Sequence, residues 1–186
     1  MKKGFKYILL TVAGIMLYRI TKAGSMANKF VNFTNAEALK LLALQNSLMI
    51  AGMKPPQLDF ALAQLLFETG RFTTRSNVAS TNNNYSGIKY LNKPYQDAEK
   101  GSLAPAGERL PYESPLNYYA KFRDTNAWAK DFVRILSLKR SGNNIGAPIK
   151  ATTVEDFNKR LKLNSYYGGS EAVYLRGIKT YLSKFK

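Results

Sequence analysis

With neither histidine nor cysteine among its 186 residues, the chain cannot build a Ser-His-Asp or Cys-His nucleophilic site. A zinc site would lack its usual ligands. Acid–base chemistry therefore falls to the carboxylates, and there are twelve Asp and Glu to sort. Glu37, Asp131, Glu155, Asp156 and Glu171 fall in first turns or on faces of predicted helices, where carboxylates cap or are solvated. Asp59 lies near a helix start, and Asp124 precedes a helix as a cap. Glu68 remains, with Asp97, Glu99, Glu108 and Glu113 in a loop-rich centre.

Glu68 is oddly placed for a structural acid. It ends an apolar helical stretch, where the helix dipole presents partial negative charge and disfavours a carboxylate. Phe67 and Phe72 beside it remove water and raise the carboxyl pKa further. A carboxyl kept neutral in this way can donate a proton to a glycosidic oxygen. Against that, Arg71 stands three residues on, and an i, i+3 ion pair would make Glu68 merely structural.

The elements that must position Glu68 are mostly helical. Thr34-Asn35-Ala36-Glu37 is a capping-box pattern and predicts a helix to about Ala51, with Leu39, Leu42, Ala43 and Asn46 at helical spacing. Gly52 ends it and Pro55-Pro56 opens the next, about Pro56 to Thr69. There Leu58, Ala61, Leu62, Leu65 and Leu66 give a buried stripe and Gly70 a C-terminal cap. Residues 76–118 are polar and punctuated by proline, which predicts loops, a short hairpin and no long helix. Helices resume at about Asn126–Arg140, carrying Trp128, Phe132, Ile135 and Leu136, and at about Val154–Leu163. A last helix after Ser170 carries Val173, Tyr174, Ile178, Tyr181 and Leu182. The class expected is mainly α (α+β), a helical lobe and a loop-rich lobe with a short β-hairpin flanking a cleft.

Charge and the amino terminus bear on where such a protein works. Twenty-eight Lys and Arg against twelve acids leave a net charge of +16, which draws the chain to a polyanion such as nucleic acid, anionic lipid or the bacterial wall. Three lysines in Met1–Lys6 precede an uncharged, largely apolar run, Tyr7–Tyr18, closed by Arg19 and Lys22. That run is short beside the roughly 20 residues of a spanning helix and has the length of a signal-peptide core. Residues 1–22 are thus expected as an N-terminal hydrophobic helix, either an uncleaved membrane anchor, N-terminus inside, or a cleaved signal. Either exports the body. Residues 23–33 read as a linker and 34–186 as one domain.

The order helix, Glu68-Thr69-Gly70, polar loop, Asn83-Asn84-Tyr85-Ser86-Gly87-Ile88-Lys89 resembles the glucosaminidase family of peptidoglycan hydrolases (glycoside hydrolase family 73), which includes flagellar muramidases and many autolysins. Phe122-Arg123 and the stretch from Leu161 to Tyr174 (LKLNSYYGGSEAVY) match two later elements, so the resemblance spans about residues 35 to 185. It implies a lysozyme-like fold with Glu68 as general acid. The Asn83–Lys89 segment would line the cleft, with Asn83, Asn84, Tyr85, Gly87, Ile88 and Lys89 binding substrate and Tyr166 and Tyr167 nearby. The family's second acid, where present, precedes Phe-Arg, which offers Glu108 and, as the alternative, Glu113. Substrate assistance by the sugar's acetamide is a further route. Two positions depart from the pattern: Ser86 stands where Phe is usual, and Thr125 where Tyr often follows Phe-Arg-x.

The expected activity is hydrolysis of β-1,4 bonds between N-acetylglucosamine and N-acetylmuramic acid, without metal or cofactor, on peptidoglycan glycan strands. The rivals are a lytic transglycosylase, whose usual Gly-[Leu/Val]-Met-Gln segment is absent, and a non-catalytic wall-binding or virion protein on the same fold. No nucleic-acid-binding signature accompanies the charge, so specific nucleic-acid binding is not expected. Wall remodelling by a bacterium and entry by a phage particle both fit. Asn82–Asn84 also read as an ordinary polar turn, and the tyrosines as half-buried aromatics.

Overall fold

The computed structural model describes residues 29–72, 77–142 and 144–186. The expected anchor or signal at 1–22 lies outside them. No helix of the described residues is long and apolar enough to cross a membrane.

Six helices and one two-stranded antiparallel hairpin make up the described body, a mainly helical α+β arrangement. Helix α1 spans Asn35–Ile50 behind the capping box read from the sequence: Thr34 accepts from Glu37 N, and the Glu37 carboxylate accepts from Thr34 N at 2.9 Å. Helix α2 spans Gln57–Glu68 and has no side-chain N-cap, yet eight of its twelve residues are buried. A cap is worth about 1 kcal/mol, whereas each large apolar side chain removed from water contributes about 1.5–3 kcal/mol. Packing therefore holds α2, and the stripe Leu58, Ala61, Leu62, Leu65 and Leu66 is fully interior.

The short α3 (Asn77–Asn82) lies in the stretch expected to hold loops, a short hairpin and no long helix. Strand β1 (Ala98–Leu103) then pairs with β2 (Tyr118–Phe122), Ala98 opposite Phe122 and Lys100 opposite Ala120, with the register slipping before Leu103. Helix α4 spans Thr125–Ser137, capped by Asp124 on Ala127 N and ending short of the expected Arg140. Helices α5 (Val154–Leu163, capped by Thr153) and α6 (Glu171–Leu182) complete the body. The core joins Leu41, Leu44 and Leu48 of α1 to the α2 stripe, to Trp128, Phe132 and Leu136 of α4, and to Phe157, Leu161 and Ile178. Packing of α6 along α2 matters most for the site.

Several expectations need correction. The buried face of α1 is Leu41, Leu44 and Leu48; Leu39 is 69% exposed, and Asn46 and Ala43 face solvent. That helix is apolar on nearly every side, so spacing alone does not select the inward stripe. Asp131 is buried rather than solvated, paired with Arg134 at 2.5 Å and accepting from Gln96 at 2.9 Å. Val173 is exposed. Residues 29–33, expected in the linker, belong to the body: Phe30 and Phe33 are buried and cluster with Phe185, whose ring centroid is 5.4 Å from that of Phe30.

Candidate active site

Glu68 is the last residue of α2, and the turn after it is unusual. Arg71 N reaches Leu66 O at 2.9 Å and Gly70 N reaches Phe67 O, which closes the helix as a Schellman motif around Gly70 (φ +57°). Arg71 and Phe72 also lie in the left-handed region, at φ 66° and 59°. Such conformations cost non-glycine residues about 1–2 kcal/mol each, and two contacts offset them. The buried Thr69 hydroxyl donates to Leu65 O at 2.7 Å and accepts from Phe72 N at 3.1 Å. The Arg71 guanidinium sits on Glu37, with Nε 2.6 Å from Oε1 and Nη2 donating to Oε2 at 2.8 Å. The i, i+3 pair with Glu68 does not form.

Around the Glu68 carboxyl the described neighbours are neutral. Gln64, one turn back on α2, donates to Oε1 at 3.2 Å, and the Tyr174 hydroxyl donates to the same oxygen. Tyr166 places its hydroxyl within electrostatic reach of Glu68, Gln64 and Ser86. That hydroxyl is buried and completes a hydrogen bond to none of them, and Gln64 Oε1 is likewise unpaired among the described residues. Glu68 is exposed as a residue, yet desolvated at its carboxyl. The residue opens onto the pocket, while Gln64 and Tyr174 press on its carboxyl. This desolvation pushes its pKa up to about 7, against the hydrogen bonds from Tyr174 and Gln64, which favour the ionised form.

Tyr174 is itself held in place. Its ring stacks on Tyr167 with centroids 3.7 Å apart and planes 7° apart, and meets the Phe67 ring edge-on at 5.3 Å. Tyr167 is fixed in turn by donating its hydroxyl to Asn158 Oδ1 at 2.9 Å. The approach of α6 that brings Tyr174 to Glu68 depends on Gly177, where a Cβ would fall 2.3 Å from Phe67 Cδ2. Tyr167 thus supports the site from behind and is not a lining residue.

An open pocket of about 300 Å³ lies against Glu68. Its other walls come from Asn84, Tyr85, Ser86 and Gly87 of the polar loop and from Glu108 and Tyr119 of the hairpin lobe. The two carboxylates singled out from sequence, Glu68 and Glu108, therefore share one pocket. Glu113 is exposed and is not among its walls. Glu108 accepts from Lys89 Nζ at 2.7 Å and from the Tyr119 hydroxyl at 2.8 Å. The Lys89 contact, and after it the Tyr119 hydrogen bond against some desolvation, holds the carboxyl below its ordinary range. The two carboxyls are thus shifted in opposite directions.

The polar loop serves the fold as much as the pocket. Asn84 is buried, donating to Ile88 O at 2.8 Å and Ala120 O at 2.9 Å and accepting from Ile88 N at 2.9 Å. Both N–H groups of its amide are engaged, so it pins the loop to β2. Asn83, in the left-handed region at φ 48°, donates to Phe122 O and faces a different depression, beside Asp97 and Arg123. Ile88 is buried. Tyr85 is buried too, and its hydroxyl accepts from Lys40 at 2.6 Å. Ser86, the departure from the family pattern, accepts from Trp128 Nε1 at 3.0 Å, a bond that phenylalanine could not make. Gln64 and Tyr119 are site residues that the sequence does not single out, while Thr69 and Tyr174 lie in segments it does mark without a role being given to them. Gln64 carries a local signal, a polar residue one turn before Glu68 on an otherwise apolar stripe. Comparisons with protein-family models, with curated proteins and with solved structures gave no match.

Proposed function

We propose that this chain is a peptidoglycan hydrolase of lysozyme-like fold that cuts β-1,4 glycosidic bonds between N-acetylglucosamine and N-acetylmuramic acid, with Glu68 as general acid. The observation that carries the reading is the pair of carboxylates on one pocket whose surroundings drive their protonation apart. Desolvation keeps Glu68 neutral into the neutral range, and Lys89 keeps Glu108 charged. Such a split assigns an acid and a base, the two roles a glycosidase needs. In the proposed reaction Glu68 gives its proton to the leaving glycosidic oxygen as that C–O bond breaks. Water, or the sugar acetamide followed by water, forms the new bond at the anomeric carbon, and Glu108 takes the proton of the attacking water.

The net charge of +16 supports an anionic wall as the place of work. An exported body, tethered through residues 1–22 or released from them, is part of the same proposal. Mass spectrometry of purified sacculi after digestion tests it. Fragments with reducing ends are expected. Anhydro-muramic ends would make the chain a lytic transglycosylase, and no release at all would leave only a wall-binding role.

A further inference from the structure

Lys89 lies opposite Tyr119 in an isolated antiparallel bridge at the edge of β2. Tyr90 N donates to Tyr118 O at 2.9 Å and Ala120 N to Ile88 O at 2.8 Å, so 89 and 119 form the pair between these two bonds. In such a pair the backbones are closest and the side chains stand side by side on one face. The Lys89 ammonium accordingly lies 4.1 Å from the centroid of the Tyr119 ring. Both side chains end on one atom, Glu108 Oε2. Glu108 Oε1 has no partner among the described residues, and Glu108 is a wall of the Glu68 pocket.

We propose that Lys89 and Tyr119 are positioning residues for Glu108, together holding its Oε2 so that Oε1 is the oxygen offered to the pocket. This rests on the proposed hydrolase reading and assigns to Lys89 a task other than binding sugar. An ammonium alone would fix charge but not orientation, because it can rotate around either oxygen. The phenol adds the second direction, and the ring beneath the ammonium limits where Lys89 can go. Two donors converging on one oxygen from a rigid cross-strand pair define the carboxylate plane. The other groups facing Glu108 do not compete: Arg109 donates its Nε to Ala104 O, and Glu68 stands across the pocket without a hydrogen bond to it. The proton from the attacking water would then go to Oε1, while Oε2 keeps both donors throughout.

The test uses the full chain and its Lys89→Met, Lys89→Arg and Tyr119→Phe variants, acting on soluble glycan strands from sonicated sacculi. A mis-set base loses on the order of 10- to 100-fold. Lys89→Met is expected to lower kcat by that much with KM within about twofold, and to move the acidic limb of the pH profile upward. Lys89→Arg, which keeps a charged donor, should recover much of kcat, and Tyr119→Phe should show a smaller loss of the same kind. The Glu108 carboxyl, followed by carbon-13 NMR titration, should titrate at higher pH in Lys89→Met and Tyr119→Phe. A raised KM with an unmoved acidic limb, or a Glu108 titration that stays in place, overturns the proposal and returns Lys89 to substrate binding. Should the unaltered chain release no fragments, the hydrolase reading fails by itself, and the Glu108 titration still decides whether the two residues hold the carboxylate.

Discussion

Arg71 forms its ion pair with Glu37 of α1, 2.6 Å from Nε to Oε1, although Glu68 is three residues away along the chain. Among the described residues, this choice of partner leaves Glu68 with neutral donors and no cation. A guanidinium against Glu68 would drive its pKa down and abolish its use as an acid at neutral pH. The same contact ties the left-handed turn after α2 to the first turn of α1, where Glu37 also completes the capping box.

Glu37→Ala removes the box and the ion pair together. We expect a loss of about 1–2 kcal/mol, a cap plus a partly exposed pair. Thermal or urea unfolding measures it. A variant as stable as the parent would mean that the turn holds without α1.

Tyr174→Phe removes a donor that favours the ionised form of Glu68. The acid must be protonated to act, so activity declines as pH rises through its pKa of about 7. Losing the hydroxyl raises that pKa further, and the alkaline limb of kcat/KM should shift to higher pH. A shift downward would show that Tyr174 does not donate to Glu68. The ring contacts with Tyr167 and Phe67 survive this change, so stability should fall little.

Asn84→Ala separates structural from substrate-facing amides in the polar loop. Three buried hydrogen bonds are lost and Ile88 N is left without its acceptor, although Ile88 O keeps Ala120 N, which costs on the order of 1–3 kcal/mol. The melting temperature should drop sharply. A raised KM with an unchanged melting temperature would place Asn84 on the substrate instead.

Stability should also report Glu68 directly. Its folded pKa lies above the ordinary 4.5, so the proton it binds more tightly in the folded state stabilises the fold below pH 4.5. That contribution is lost as pH rises from there through about 7. Glu68→Gln has no such dependence. Relative to the unaltered chain it should gain stability between those two values and keep the gain above them. A constant difference across that range in melting temperature would show an unshifted carboxyl.

The fold was legible where a strong local signal agreed with packing. The Thr34–Glu37 box, the α2 stripe and the Asp124 cap all appear as their residue types predict. Legibility failed on α1, which is apolar nearly all round, and at Asp131, which pairs with Arg134 on its own helix but is also met by Gln96 from a distant loop. The site divides the same way. Glu68 stands out because a carboxylate at the end of a greasy helix breaks a local rule, whereas Glu108 was offered, beside Glu113, only by the family resemblance. The residues that set their protonation could not be read in advance. Tyr174 reaches Glu68 only because α6 closes on α2 at Gly177, and Tyr119 reaches Glu108 only through cross-strand pairing with Lys89. Those are tertiary facts.

Release of soluble fragments from purified sacculi by the Glu68→Gln chain, beside the unaltered chain at pH 6, tests the central claim most directly. The amide keeps size and shape but has no proton to give. We predict that release falls by at least about a hundredfold, the contribution of a general acid, with the circular dichroism spectrum unchanged. Undiminished release by a folded Glu68→Gln chain would contradict the account.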